Sequence, residues 1–282
     1  MSLSQQKSPY VHWEYVHPES GDRLRIVPER GGLVTAWCSN GRELLYLDQE
    51  RFADPGKSIR GGIPVLFPIC GNLPGDLLPL PCGEFTLKQH GFARDMPWEL
   101  QLLEDHSGVK LSLSDTDATR AAYPFEFLIE MVVRPIRNAL EIDTTVHNLS
   151  QTAMPFSFGL HPYLNVTDLS QVRLEGLPHS CFNHLQMAEA ETAIQLAHLT
   201  EGVDFLTRPA GPVSLVDEAS GRCLKLQHDK PMDLTVVWSD PPRQMVCLEP
   251  WTSPRQALIT GDRKLEIEVG SQQKLRCSLA NC

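Results

Sequence analysis

Phe125-Glu126-Phe127-Leu128-Ile129-Glu130-Met131-Val132-Val133 carries an apolar side chain at every odd position, with Glu126 and Glu130 between. A period of two sends successive side chains to opposite faces of an extended chain, so the run predicts a strand with one buried face. The pattern recurs at Val109, Leu111 and Leu113, and again at Leu140, Ile142, Thr144 and Val146 before a turn at His147-Asn-Leu-Ser. Later stretches behave alike: Cys223-Leu-Lys-Leu-Gln, Asp233 to Trp238, Leu265-Glu-Ile-Glu-Val and Leu275-Arg-Cys-Ser-Leu. Between them stand turn formers such as Glu29-Arg-Gly-Gly, Ser39-Asn-Gly, Pro74-Gly-Asp, Ala219-Ser-Gly and Ser239-Asp-Pro-Pro. Helix is confined to short pieces: a turn over 116–122, and 184–198, which has helical propensity but no clear apolar face. The expectation is an all-β fold of mainly antiparallel strands packed face to face. It forms a single domain over 1–282 with residues 1–20 peripheral.

The chain has 282 residues and a formal net charge of −10, with no basic run or basic amphipathic helix, which argues against a nucleic-acid partner. A few local arginines can still hold an anionic small molecule. The start, Met1-Ser-Leu-Ser-Gln-Gln-Lys, has no apolar signal core, and no apolar run is long enough to span a bilayer. A cytoplasmic protein is expected. Its 8 cysteines are scattered without C-x-x-C spacing and read as free thiols.

Five segments are candidates for chemistry. Ser58-Ile-Arg-Gly-Gly-Ile-Pro offers Arg60 beside two glycines that permit close backbone approach to a ligand or a positive φ; a tight turn with a solvated arginine is the alternative. Gln89-His-Gly-Phe-Ala-Arg sets His90 and Arg94 on a loop before a strand near Trp98, where a structural histidine is the plainer reading. In Phe156-Ser-Phe-Gly-Leu-His-Pro-Tyr, His161 ends an apolar run, either as a core histidine or as a proton donor and acceptor near neutrality. In Met245-Val-Cys-Leu-Glu-Pro-Trp, alternation puts Glu249 on the face of Met245 and Cys247. Burial there would raise its pKa, and a solvent-facing strand end is the alternative. Asp204, in Glu201-Gly-Val-Asp-Phe, is a weaker candidate for holding hydroxyls. His-Glu-x-x-His, Gly-x-Ser-x-Gly and Gly-x-Gly-x-x-Gly are absent, and His179 and His184 are too sparse for zinc, so no metal site is expected.

Taken in order, Ile59-Arg-Gly-Gly-Ile-Pro, His90-Gly-Phe-Ala-Arg, His161-Pro-Tyr-Leu-Asn-Val and Cys247-Leu-Glu-Pro resemble the aldose 1-epimerase (galactose mutarotase-like) family. They look closest to its hexose-6-phosphate epimerase branch. The resemblance spans roughly residues 20 to 280 and implies a β-supersandwich that interconverts α and β anomers of an aldose without cofactor. It implies His161 as general acid and Glu249 as general base, with Arg60, His90 and Arg94 contacting sugar or phosphate and Asp204 a hydroxyl. The phosphate-sugar branch commonly reads His-Thr-Tyr-Phe where this chain has His161-Pro-Tyr-Leu, so hexose and hexose 6-phosphate both stay open. By the same resemblance the partner is a small sugar or sugar phosphate; no nucleic-acid or membrane partner is expected, and the protein is expected to be a monomer or weak dimer. A non-catalytic sugar-binding protein on the same scaffold is the alternative. A glycoside-cleaving enzyme would need two carboxylates flanking the bond.

Overall fold

A computed structural model describes residues 3–282. Two eight-stranded sheets dominate, with a five-stranded sheet built from residues 3–43 beside them. In the first large sheet the opening run becomes Phe127–Ile136, paired antiparallel with Ala139–Asn148 and Val109–Ser114. Ile129, Met131 and Val133 are buried as the alternation requires, while Glu130 stays half-buried and bonds Lys110. Gln272–Asn281 and Arg222–His228 extend the same sheet.

The second large sheet carries the site. Its neighbouring strands Asp204–Thr207, Leu234–Trp238 and Met245–Trp251 run antiparallel, and Tyr163–Asn165 adds to the last of them. Phe205, Val237, Val246 and Leu248 point into one apolar cluster with Ile129 and Met131 of the first sheet. The intervening residues Asp204, Val236, Trp238, Glu249 and Trp251 therefore share the opposite face, where they line a pocket. Met245–Trp251 is buried along its whole length, because its second face is packed as well, Met245 and Cys247 with Tyr163 and Trp251 with Leu66 and Cys70.

Several expectations need revision. Cys223 and Cys282 form a disulfide, so the cysteines are not all free; the remaining six are unpaired. The register that sets Leu224 opposite Asn281 brings the two sulfurs together across 59 residues of sequence, a pairing that spacing alone does not announce. Over 184–198 only Thr192–Ala197 is helical, and Ala188–Glu191 is instead a hairpin strand against Ser180–Asn183. Asn183 Oδ1 accepts from the backbone N–H groups of Leu185 and Gln186 and closes that hairpin. The turn expected at 116–122 is the helix Asp117–Ala122, capped by the Thr116 side chain. Of residues 1–20, Met1 and Ser2 lie outside the described residues. Leu3–Gln6 is an edge strand, and Tyr15 of His12–Val16 is buried in the core.

Candidate active site

The pocket encloses about 210 Å³ and takes its walls from sheet and loops alike. Arg60, His90, Arg94, His161, Asp204 and Glu249, marked separately by sequence, all line it.

At its base, Nε2 of His161 lies 3.2 Å from Oε1 of Glu249, and Trp251 donates its indole N–H to Oε2 at 3.1 Å. The His161 ring stacks on Tyr163, with centroids 4.7 Å apart and 14° between planes, and meets the edge of Trp238 at 5.6 Å. Pro64 O accepts from the His161 backbone N–H at 3.0 Å. Aromatic walls and main chain thus fix the ring, while its Nδ1 is buried without a partner among the described residues. Glu249 is only 2% exposed.

Electrostatics pushes both groups toward their uncharged forms. Burial, then the charge of Asp204, raises Glu249 well above the usual carboxylate range, opposed by the Trp251 bond, Arg255 and Arg94. Burial, then Arg94 and Arg60, lowers His161 to about 3. Glu249 protonated beside neutral His161 holds the same single proton as an ionised pair, moved across one short contact. The two groups titrate as a unit.

His90 is buried across the pocket, its ring edge-on to those of His161 and Trp251. Gly71 N–H donates to its Nδ1 at 3.1 Å, so the neutral ring carries its proton on Nε2. Burial, then Arg94, keeps it neutral by lowering it well below the usual imidazole value. Arg94 Nη2 donates to Gln89 O at 2.9 Å. Arg60 lies with its guanidinium 5.5 Å from the Trp238 ring centre and 3.8 Å from Asp240, a loose hold that leaves donors for a ligand. The glycines after it do not open the chain to a ligand. A Cβ at Gly61 would stand 2.5 Å from Tyr46 O, and one at Gly62 2.5 Å from Val34 O, so they let backbone pack on backbone.

Asp204 is held at both oxygens, by His184 Nδ1 at 2.7 Å and Arg255 Nη2 at 2.7 Å. Burial raises its pKa, but His184 and Arg255 together outweigh that, and it stays below the usual carboxylate value. Sequence reading missed Arg255, His184 and Trp238 as pocket-building groups. Arg255 had a signal, standing six residues after Glu249 in the same run; His184 had none. Trp251 is 1% exposed and braces Glu249. No compact Cys/His cluster is legible in sequence, yet the ligand atoms of His161, Cys247 and Glu249 fall within 4.8 Å of one another. Burial, then the charge of Glu249, raises the Cys247 thiol well above its ordinary value, so near neutrality it is an uncharged buried group behind the pair.

The antiparallel sheets have the fold of solved proteins named galactose mutarotase-like, and in this chain they hold an imidazole–carboxylate pair in a polar pocket. The chain overlays the solved Slr1438 protein of Synechocystis sp. PCC 6803 with a TM-score of 0.91 at 33% identity, covering 96% of this chain and 95% of that one. The galactose mutarotase related enzyme of Lactobacillus acidophilus, 20% identical, shares the fold at a TM-score of 0.78, over 95% and 97% of the two chains. A protein of Cenchrus ciliaris named "Putative glucose-6-phosphate 1-epimerase" is 28% identical over 241 residues, 81% of this chain and 67% of its own length. The aldose 1-epimerase family model matches residues 20–264, and the chain belongs to that family. It is an isomerase of the mutarotase type.

Proposed function

We propose that this pocket interconverts the α and β anomers of a hexose 6-phosphate, and more slowly of the free hexose, by acid–base ring opening. The observation that carries the reading is the 3.2 Å contact between His161 and Glu249 at the base of a polar pocket. Mutarotation removes a proton from the O1 hydroxyl and delivers one to the ring oxygen O5. Both oxygens are bonded to C1, so the groups serving them must be neighbours. The C1–O5 bond then breaks to the open aldehyde, rotation about C1–C2 turns the other carbonyl face, and reclosure returns both protons.

Glu249 is the base at O1 and His161 the acid at O5, with roles reversed on closure. In the empty pocket the shared proton rests on Glu249. An O1 hydroxyl donating to that carboxyl favours its ionised form and moves the proton to His161. No metal or nucleotide enters any step. His90 and Arg94 orient the ring, and Asp204 accepts from a hydroxyl. Arg60, on the His161 flank, faces the C5–C6 arm that leaves O5, the end where a phosphate would sit. The relatives named for glucose 6-phosphate support the same choice.

The reading includes a cytoplasmic setting and a monomer or weak dimer. No described helix is long and apolar enough to cross a membrane. The test is polarimetry or coupled anomer exchange by the pure protein on glucose, galactose and glucose 6-phosphate. Acceleration in the order glucose 6-phosphate above the free sugars is expected, and no acceleration with any of them would overturn the reading.

A further inference from the structure

Arg255 lies in the loop after Met245–Trp251 and lines the pocket beside Asp204. Its Nη2 donates to Asp204 at 2.7 Å and its Nη1 to Asn72 Oδ1 at 3.3 Å. Its Nε–H is buried with no partner among the described residues. A buried donor without an acceptor is costly, so one maintained in a polar pocket points to an acceptor that arrives with the ligand. The side chain is also built into the wall. A Cβ at Gly71 would lie 2.3 Å from Arg255 Cγ, so glycine at that position makes room for the arginine stem. Asp204 beside it is locked by His184, yet its oxygens keep lone pairs for another donor. A fixed donor next to a fixed acceptor matches one secondary hydroxyl, which accepts and donates at once.

The acid–base pair says which hydroxyl. On the His161 side stand Tyr163, Trp238 and Arg60. On the Glu249 side, Trp251 stacks on His184, which bonds Asp204, which bonds Arg255. In a pyranose, O5 leads from C1 to C5 and C6, and the remaining ring bond of C1 leads to C2. With O5 at His161, the C2 side falls toward Asp204 and Arg255. We infer that Arg255, together with Asp204, reads the C2 hydroxyl and makes the pocket selective for aldoses that carry one; this rests on the mutarotase reading above.

The test compares kcat/KM for anomer exchange on glucose 6-phosphate and 2-deoxyglucose 6-phosphate, in the wild type, Arg255→Gln and Arg255→Lys. The wild type should prefer the 2-hydroxy sugar by about 10- to 100-fold, the range for a hydrogen bond from a charged donor. Arg255→Gln should lose about that factor on glucose 6-phosphate and less than about 3-fold on the deoxy sugar, so that the preference collapses. Arg255→Lys keeps a charge beside Asp204 but lacks the Nε–H fork, and it should collapse the preference as well. Equal losses on both sugars, or wild-type preference in Arg255→Lys, would overturn the assignment while leaving the reaction intact. A wild type that exchanges neither sugar would overturn both. Melting temperatures within a few degrees of the wild type, read on the same preparations, exclude misfolding as the cause of a loss.

Discussion

Trp251 donates its indole N–H to the oxygen of Glu249 that His161 does not touch, at 3.1 Å. The bond opposes the burial that drives the carboxyl toward its protonated form. It also fixes the carboxylate plane, leaving Oε1 for the sugar and the imidazole. Trp251→Phe keeps an aromatic ring beside His90 and His184 and removes only the donor. We expect kcat/KM to fall about 10- to 100-fold, the value of one bond to a charged group. Because the pair shares one proton, the loss should be uniform across the neutral range. The alkaline limb, where that last proton leaves, should move to higher pH. An unchanged pH–rate profile would remove Trp251 from the proton economy.

His161 leaves a signature in stability. Its folded pKa is about 3, against an ordinary 6.5. As pH falls below 6.5 the unfolded chain takes up a proton that the folded chain refuses until about 3, so stability is lost across that window. His161→Asn cannot titrate. Its melting temperature relative to wild type should hold steady above neutrality and rise steadily on acidification. The same variant should lose about 10²–10⁴ in kcat with little change in KM. A pure loss of affinity would make His161 a binding residue, and a pH-independent gap in melting temperature would contradict its buried neutral state.

Much of this was legible in the sequence, for a stated reason. Wherever one sheet face is buried, alternation must follow, so Phe127–Ile136 and Ala139–Asn148 could be read directly. The same logic placed Glu249 on the face of Met245 and Cys247, and Cys247 does lie near its carboxylate. Tertiary partners without a periodic trace were not legible. Nothing local distinguishes His184, which gains its place from Asp204, 20 residues further along the chain, or the sulfurs of Cys223 and Cys282. Gly61 and Gly62 take the positive φ that the glycine pair allowed for, at 142° and 68°, but what stands over them is a backbone carbonyl and not a ligand, a difference a glycine pair does not disclose.

Arg60 and Arg94 give the pocket positive charge in a chain of net charge −10. Arg60 is partly exposed and only loosely paired with Asp240, whereas Arg94 is tied to Gln89 O. Arg60→Ala should lower the ratio of kcat/KM for glucose 6-phosphate over glucose by about tenfold or more. The wild-type preference should shrink as salt rises, because a partly exposed charge is screened. Arg94→Ala should lower the ratio too, with an added loss on glucose from its part in orienting the ring. A ratio that neither variant moves would place the phosphate elsewhere.

The most direct measurement is anomer exchange by wild type and Glu249→Gln, each as pure folded protein, on glucose 6-phosphate. The amide keeps the shape of the side chain and removes its ability to take a proton. Relief of a buried ionisable group should leave its melting temperature at or above that of the wild type. The expected result is acceleration by the wild type and a loss of about 10²–10⁴ in the variant. Exchange at close to the wild-type rate in Glu249→Gln would contradict the assignment of Glu249 as the base.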